Sequence, residues 1–190
     1  MAYQIYCENG KDGYREIGHF RNGAPFLAGE TSRISITHTG RFLAVATLPS
    51  TPEAELGVFS ERAALGIDAE PASRQQTVKV RDKYLSDEEK EMISPDDLTS
   101  HVLAWTAKEA AFKAALTPGL DFRADIRIKR LPKIGPAVPV YDKNEFDPIQ
   151  TGEASVTIEG KEVPLVLYSY ESEGNIVTLA YSPKCAKFGN

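Results

Sequence analysis

The stretch "ALGIDAE", Ala64 to Glu70, decides how the rest of the chain is read. It has the composition of a buried strand, and an extended strand turns successive side chains to opposite faces. Leu65, Ile67 and Ala69 then share one face, suited to a core. Asp68 and Glu70 share the other, with their backbones roughly 7 Å apart. Two carboxylates on one side of an otherwise apolar strand either face water or belong to a site.

Working outward, the segments before it read as short strands: "QIYCEN", "YREIGHF", "RISITHT" and "FLAVATL". They are separated by the turn-forming "ENGKDG", "RNGAP" and "THTGR", and a polar loop, "TLPSTPEAELG", follows. After the opening strand the chain turns helical. "SDEE" at Ser86 to Glu89 fits a capping box, and "SPDD" at Ser94 to Asp97 is expected to start the next helix with Pro95 at the first helical position. That helix should run to about Leu116, where Pro118-Gly119 stops it. Extended patterns return in "ADIRIKRL", "EASVTIE", "VPLVLYSYE" and "NIVTLAYS", the last two forming a hairpin across "ESEGN". Strands, then helices, then strands imply an α+β fold.

A second anomaly lies in that helix. Leu98, Val102, Trp105, Phe112 and Leu116 form one stripe at helical spacing, and the position that completes it is Glu109. Lys113 lies four residues on and Lys108 borders it. Alone, Glu109 and Lys113 are readable as a solvated i,i+4 pair that contributes a few tenths of a kcal/mol. Together with Asp68 and Glu70, three half-buried acids would repel one another and take up protons unless a cation joined them. Oxygen-only ligands suit Mg2+, which keeps waters and binds substrate phosphates, with a carboxylate left to act as base. This spacing does not name the reaction, and a Mg2+-dependent hydrolase would satisfy it equally.

Bulk properties narrow the classes. The 190 residues suffice for one good-sized core or two small packed halves. A net charge of −5 argues against a general nucleic-acid binder. No apolar run approaches a membrane span, and "MAYQIYCENG" lacks the pattern of a secretory signal. Cys7 and Cys185 form no CxxC motif and are expected to be free thiols, so a cytoplasmic location is expected.

"GIDAE" at Gly66 to Glu70, followed some forty residues later by "WTAKEAAFKA" at Trp105 to Ala114, resembles the GxDxE strand and WxxKExxxK helix of the 4′-phosphopantetheinyl transferase superfamily. "SITHTG" at Ser35 to Gly40 resembles that family's "ISHSG" segment, "NGAPFL" at Asn22 to Leu27 its "GKPxL" turn, and "VRDKYLSDEE" its intervening helix and turn. The resemblance implies an enzyme that moves the phosphopantetheine arm of coenzyme A (CoA) onto a serine of an acyl or peptidyl carrier protein, releasing 3′,5′-ADP. It implies Asp68, Glu70 and Glu109 as ligands of Mg2+, and Glu109 as the base, directly or through water. It also implies Lys108 and Lys113 on the phosphates, Lys113 countering charge in the transition state, and Thr37 and His38 on CoA phosphate oxygens. Asp68, Glu109 and Lys113 are thus the expected catalytic residues, while His19 and His101 receive no role.

The family's larger, surfactin-synthetase-activating type has two similar halves related by a pseudo-twofold. Little chain precedes Gly23 here, and Ala24 stands where that type often has a CoA-contacting lysine. The expectation is a reduced first half over residues 1–62 carrying the THTG segment, and a second half over 63–190 carrying the metal strand and the helix. Two basic runs, Arg74, Lys79, Arg81 and Lys83, and Arg127, Lys129, Arg130 and Lys133, are the expected faces for an acidic carrier protein. A non-catalytic homologue that keeps the fold and binds a carrier protein or nucleotide is the alternative reading.

Overall fold

In the computed structural model, residues 2–5, 13–29, 33–48, 65–135 and 151–182 are described. Cys7, Cys185, most of the expected loop after β5 and the expected boundary at 62/63 lie outside these residues. The first sheet is an antiparallel meander, in the order β1 (Ala2–Ile5), β2 (Gly13–His19), β3 (Pro25–Leu27), β4 (Arg33–Thr39) and β5 (Phe42–Leu48). The chain then enters β6 (Leu65–Pro71), which contains the opening stretch. Four helices follow: α1 (Gln76–Lys79), α2 (Arg81–Tyr84), α3 (Asp87–Glu91) and α4 (Leu98–Ala115). The second sheet is completed by β7 (Ile126–Arg130), β8 (Ile134–Gly135), β9 (Gly152–Ile158), β10 (Lys161–Ser172) and β11 (Asn175–Tyr181). Its order is β6-β11-β10-β9-β7, with β8 parallel to β10. The fold is α+β, as the order of segments implies.

Local chemistry sets most element ends. Ser86 caps α3 as expected: its hydroxyl accepts from Glu89 N at 3.3 Å, and Glu89 Oε2 accepts from Ser86 N at 2.8 Å. The β10–β11 hairpin turns through Glu173 and Gly174 at φ 50° and 73°, the pair of positive angles of a type I′ turn. The start of α4 differs from expectation. Ser94 to Asp97 closes a turn of its own, Asp97 N donating to Ser94 O at 3.0 Å. Asp97 then caps the helix, accepting from Ser100 N at 3.1 Å and Ser100 Oγ at 2.7 Å.

The deeply buried faces of α4 are formed by alanines rather than by the aromatic stripe. Ala104, Ala107, Ala110, Ala111 and Ala114 are wholly buried, while Trp105 and Phe112 are partly buried and lean on Phe122. Small side chains let the helix backbone settle directly on the sheet. The closest approach is at Gly66, where an added Cβ would lie 1.9 Å from Ala110 O and 2.7 Å from Ala114 N.

On its opposite face β6 presents Ile67 and Ala69 to Phe42, Ala44 and Ala46 of the first sheet. Along its open edge, Ile67 N donates to Ser35 Oγ at 3.0 Å and Ala69 N to Thr37 Oγ1 at 3.3 Å. Two hydroxyls of β4 thereby satisfy backbone donors that an edge strand leaves unpaired.

Gly66→Ala is expected to destabilise the protein by about 3 kcal/mol or more, read as the urea midpoint. The clash is with helix backbone, which cannot swing aside as a side chain can. A change below about 1 kcal/mol would show that α4 does not rest on β6 in this way.

Candidate active site

β6 carries Asp68 and Glu70 on the face that α4 covers, and both are buried. Lys113 reaches from α4 to Asp68, its ammonium donating to Asp68 Oδ1 at 2.8 Å and to Ile67 O at 3.0 Å. Thr37 donates to the same Oδ1 at 3.1 Å. The other oxygen, Asp68 Oδ2, is buried without a hydrogen-bond partner. Glu70 Oε2 accepts from Arg74, four residues on, and Glu70 Oε1 from Trp105 Nε1 at 3.3 Å. No described residue hydrogen-bonds or ion-pairs with the Glu109 carboxyl.

The electrostatics follow from burial. Desolvation raises the Asp68 carboxyl above its ordinary value, and the Lys113 charge only partly offsets this. Glu70 is raised for the same reason, against the pull of Arg74. Glu109 is pushed up to about 7, first by burial and then by the Asp68 charge, with Lys113 opposing and Glu70 adding. All three acids are therefore within electrostatic reach of one another, and Glu109 takes up a proton near neutrality.

Several expected residues behave differently. Among the described residues no three acid, imidazole or thiol groups are drawn into a ready-made metal cage. The reason is visible in the partners: Lys113 and Thr37 hold one oxygen of Asp68, and Arg74 and Trp105 hold Glu70. Lys113 pairs with Asp68 across the elements, not with Glu109 along the helix.

Lys108 is not brought to the acids at all. It is wholly buried, and its ammonium is bonded to Glu89, Phe122 O and Ile126 O. Thr37 spends its hydroxyl on Asp68 and Ala69 N. His38 is exposed and, as the next residue on β4, points to the opposite face.

Residues 64–167 match the family model described as the 4′-phosphopantetheinyl transferase superfamily. The chain belongs to that superfamily. The match spans more than half of the chain and includes both β6 and α4. No curated protein sequence matches the chain. For this transferase, two contacts with Glu70 and one with the β6 backbone at Ile67 were not foreseen as such. Trp105 was assigned to the apolar stripe, Arg74 to a basic run, and Ser35 to no role. Trp105 and Ser35 act through bonds across the fold that sequence spacing does not reveal, while Arg74 reaches Glu70 from four residues on.

The basic runs also separate. Arg127 pairs with Glu88, Lys129 with Glu162 and Arg130 with Glu153. In the first run Lys79 and Lys83 have no ion-pair partner among the described residues.

The raised Glu109 has a consequence for stability. In the folded state Glu109 keeps its proton up to about pH 7, while in the unfolded chain it loses it near its ordinary value of 4.5. The folded state thus binds more protons between these values, and this group's contribution to stability falls as pH rises through that window. In EDTA, Glu109→Gln is expected to be more stable than the wild type at pH 8, by about 1–3 kcal/mol, and nearly equal to it at pH 4. Thermal unfolding at both pH values checks this, and an equal difference at the two would contradict a partly buried, raised carboxyl.

Proposed function

We propose that the chain transfers the 4′-phosphopantetheine arm of coenzyme A to a serine of an acyl or peptidyl carrier protein, with Mg2+ as cofactor. Superfamily membership supports phosphopantetheine transfer in general. The observation that carries the finer reading is the Glu109 carboxyl, unpaired and raised to about 7, beside buried Asp68 with its unpartnered oxygen and within reach of Lys113.

The donor set fits Mg2+. Asp68, Glu70 and Glu109 offer oxygen only. Asp68 Oδ2 lacks the hydrogen bond that a buried oxygen ordinarily has, and the partly buried Glu109 carboxyl has no hydrogen bond or ion pair among the described residues. Bound by these acids, Mg2+ would neutralise and orient the pyrophosphate of CoA.

The chain's own residues supply the rest. Glu109 takes the proton of the carrier serine, directly or through water. The serine oxygen bonds to the phosphorus bearing the pantetheine arm. The bond from that phosphorus to the bridging oxygen breaks, and 3′,5′-ADP leaves with the electron pair. Lys113 turns from Asp68 to the phosphates and counters the charge that develops on them. Thr37 holds Asp68 in register from the first sheet, which we assign to the reduced first half, residues 1–62. His38, on the opposite face of β4 from Thr37, would meet a CoA phosphate only away from the acids.

For the acidic carrier protein we assign the run Arg74, Lys79, Arg81 and Lys83, which directly follows β6. No described helix is long and apolar enough to cross a membrane, and a cytoplasmic site of action is part of the proposal.

The test is to incubate the protein with CoA, Mg2+ and an apo carrier protein and to weigh the carrier. The expected result is a gain of one phosphopantetheine mass, abolished by EDTA and slowed at least about 100-fold by Glu109→Gln. Carrier binding with no mass gain from any of several carriers would overturn transfer in favour of a non-catalytic homologue. CoA breakdown without carrier modification would point to a hydrolase.

A further inference from the structure

Lys108 and Glu89 are both charged and both out of water, at 0% and 2% exposure. The Lys108 ammonium donates to Glu89 Oε2 at 2.8 Å, to Phe122 O at 2.7 Å and to Ile126 O, so all three of its protons are used. Glu89 also accepts from Ser86 N on Oε2 and from Ile128 N at 2.6 Å on Oε1. One buried pair thereby joins α4 to the N-cap of α3, to the loop after α4 and to β7. No bond of the ammonium remains for a ligand, and no surface of it is open to one.

A buried ion pair is weak evidence for net stability, because desolvation offsets its attraction. What this one supplies is a fixed geometry next to Glu109. Each helical residue turns the direction of its side chain by about 100°, so the rotation of α4 about its axis decides where Glu109 points. Glu109 has no bond of its own to hold it. Its neighbours do the holding: Ala110 rests on Gly66 of β6, and Lys108 is tied to Glu89 on another side.

The geometry points to Lys108 as a positioning residue that acts with Glu89 as one unit to fix the rotation of α4 and aim Glu109 into the site. This assignment rests on the transfer reading given above. It replaces the phosphate contact that the family resemblance implies for Lys108.

The test uses Lys108→Met, Glu89→Gln and the double variant, assayed for carrier modification well below each melting temperature. Each single variant is expected to lower kcat at least about tenfold with the KM for CoA within about twofold. The double variant should cost no more than the worse single, the signature of residues that act as a unit. Glu89→Gln keeps an acceptor for the capping box and serves should Lys108→Met fail to fold.

A second readout does not depend on turnover. Trp105 is the chain's single tryptophan, and its indole N–H donates to Glu70 from the same helix. In nitrogen-15 spectra of the metal-free protein, that resonance should move toward its free-indole position in either variant. It should stay put in the surface control Lys129→Met.

A rise in the KM for CoA with Lys108→Met alone would overturn the proposal in favour of a phosphate contact. Unchanged kcat, or an unmoved indole signal in both variants, would overturn it as well. If the wild type modifies no carrier, the transfer reading falls separately, and the indole signal still decides whether the pair sets the rotation of α4.

Discussion

The site depends on how closely α4 lies on β6. At Gly66 the helix backbone occupies the space where any other residue would place its Cβ. The alanines at 107, 110, 111 and 114 allow the same approach from the helix side. Only with that spacing can the Lys113 ammonium cross to Asp68, Trp105 reach Glu70, and Glu109 feel the charge of both strand acids. A bulkier contact here would push the helix outward and leave three isolated carboxylates, each free to hydrate.

That approach creates an electrostatic problem as well as a site. Burial raises all three acids, and the cations available to them are already committed unevenly, Lys113 to Asp68 and Arg74 to Glu70. Glu109 receives none, and one oxygen of Asp68 has no partner. A divalent cation with a pyrophosphate would satisfy both deficits at once, the metal taking the acids and the phosphates taking the lysine. The first sheet contributes from the far side, through two hydroxyls of β4 that bond the edge of β6 and hold Asp68 in place.

How much of this was legible in the sequence depends on the range over which each feature is decided. The alternation in "GIDAE" placed Asp68 and Glu70 on one face because strand geometry is local. The capping box at Ser86 and the Glu173-Gly174 hairpin were legible for the same reason. The start of α4 was misread because Ser94 and Asp97 are both good caps within four residues. Asp97 prevails through a double bond to Ser100.

Lys108 was misplaced for a different reason. Its spacing from Glu109 is that of a residue bordering the site, and only the fold shows Glu89 waiting for it on another side of the helix. Likewise the Thr37 hydroxyl reads as a ligand contact, whereas it and Ser35 are engaged by the edge of a strand some thirty residues further along.

The central claim is that Asp68 and Glu109 share a divalent cation over the pyrophosphate of coenzyme A, with Lys113 released to the phosphates. A crystal structure with Mn2+ in place of Mg2+ and CoA bound tests it most directly. The account predicts an anomalous peak between the Asp68 and Glu109 carboxyls, with the Lys113 ammonium turned from Asp68 to the pyrophosphate. Mn2+ bound elsewhere, with Lys113 still on Asp68 and the pyrophosphate remote from Glu109, would contradict it.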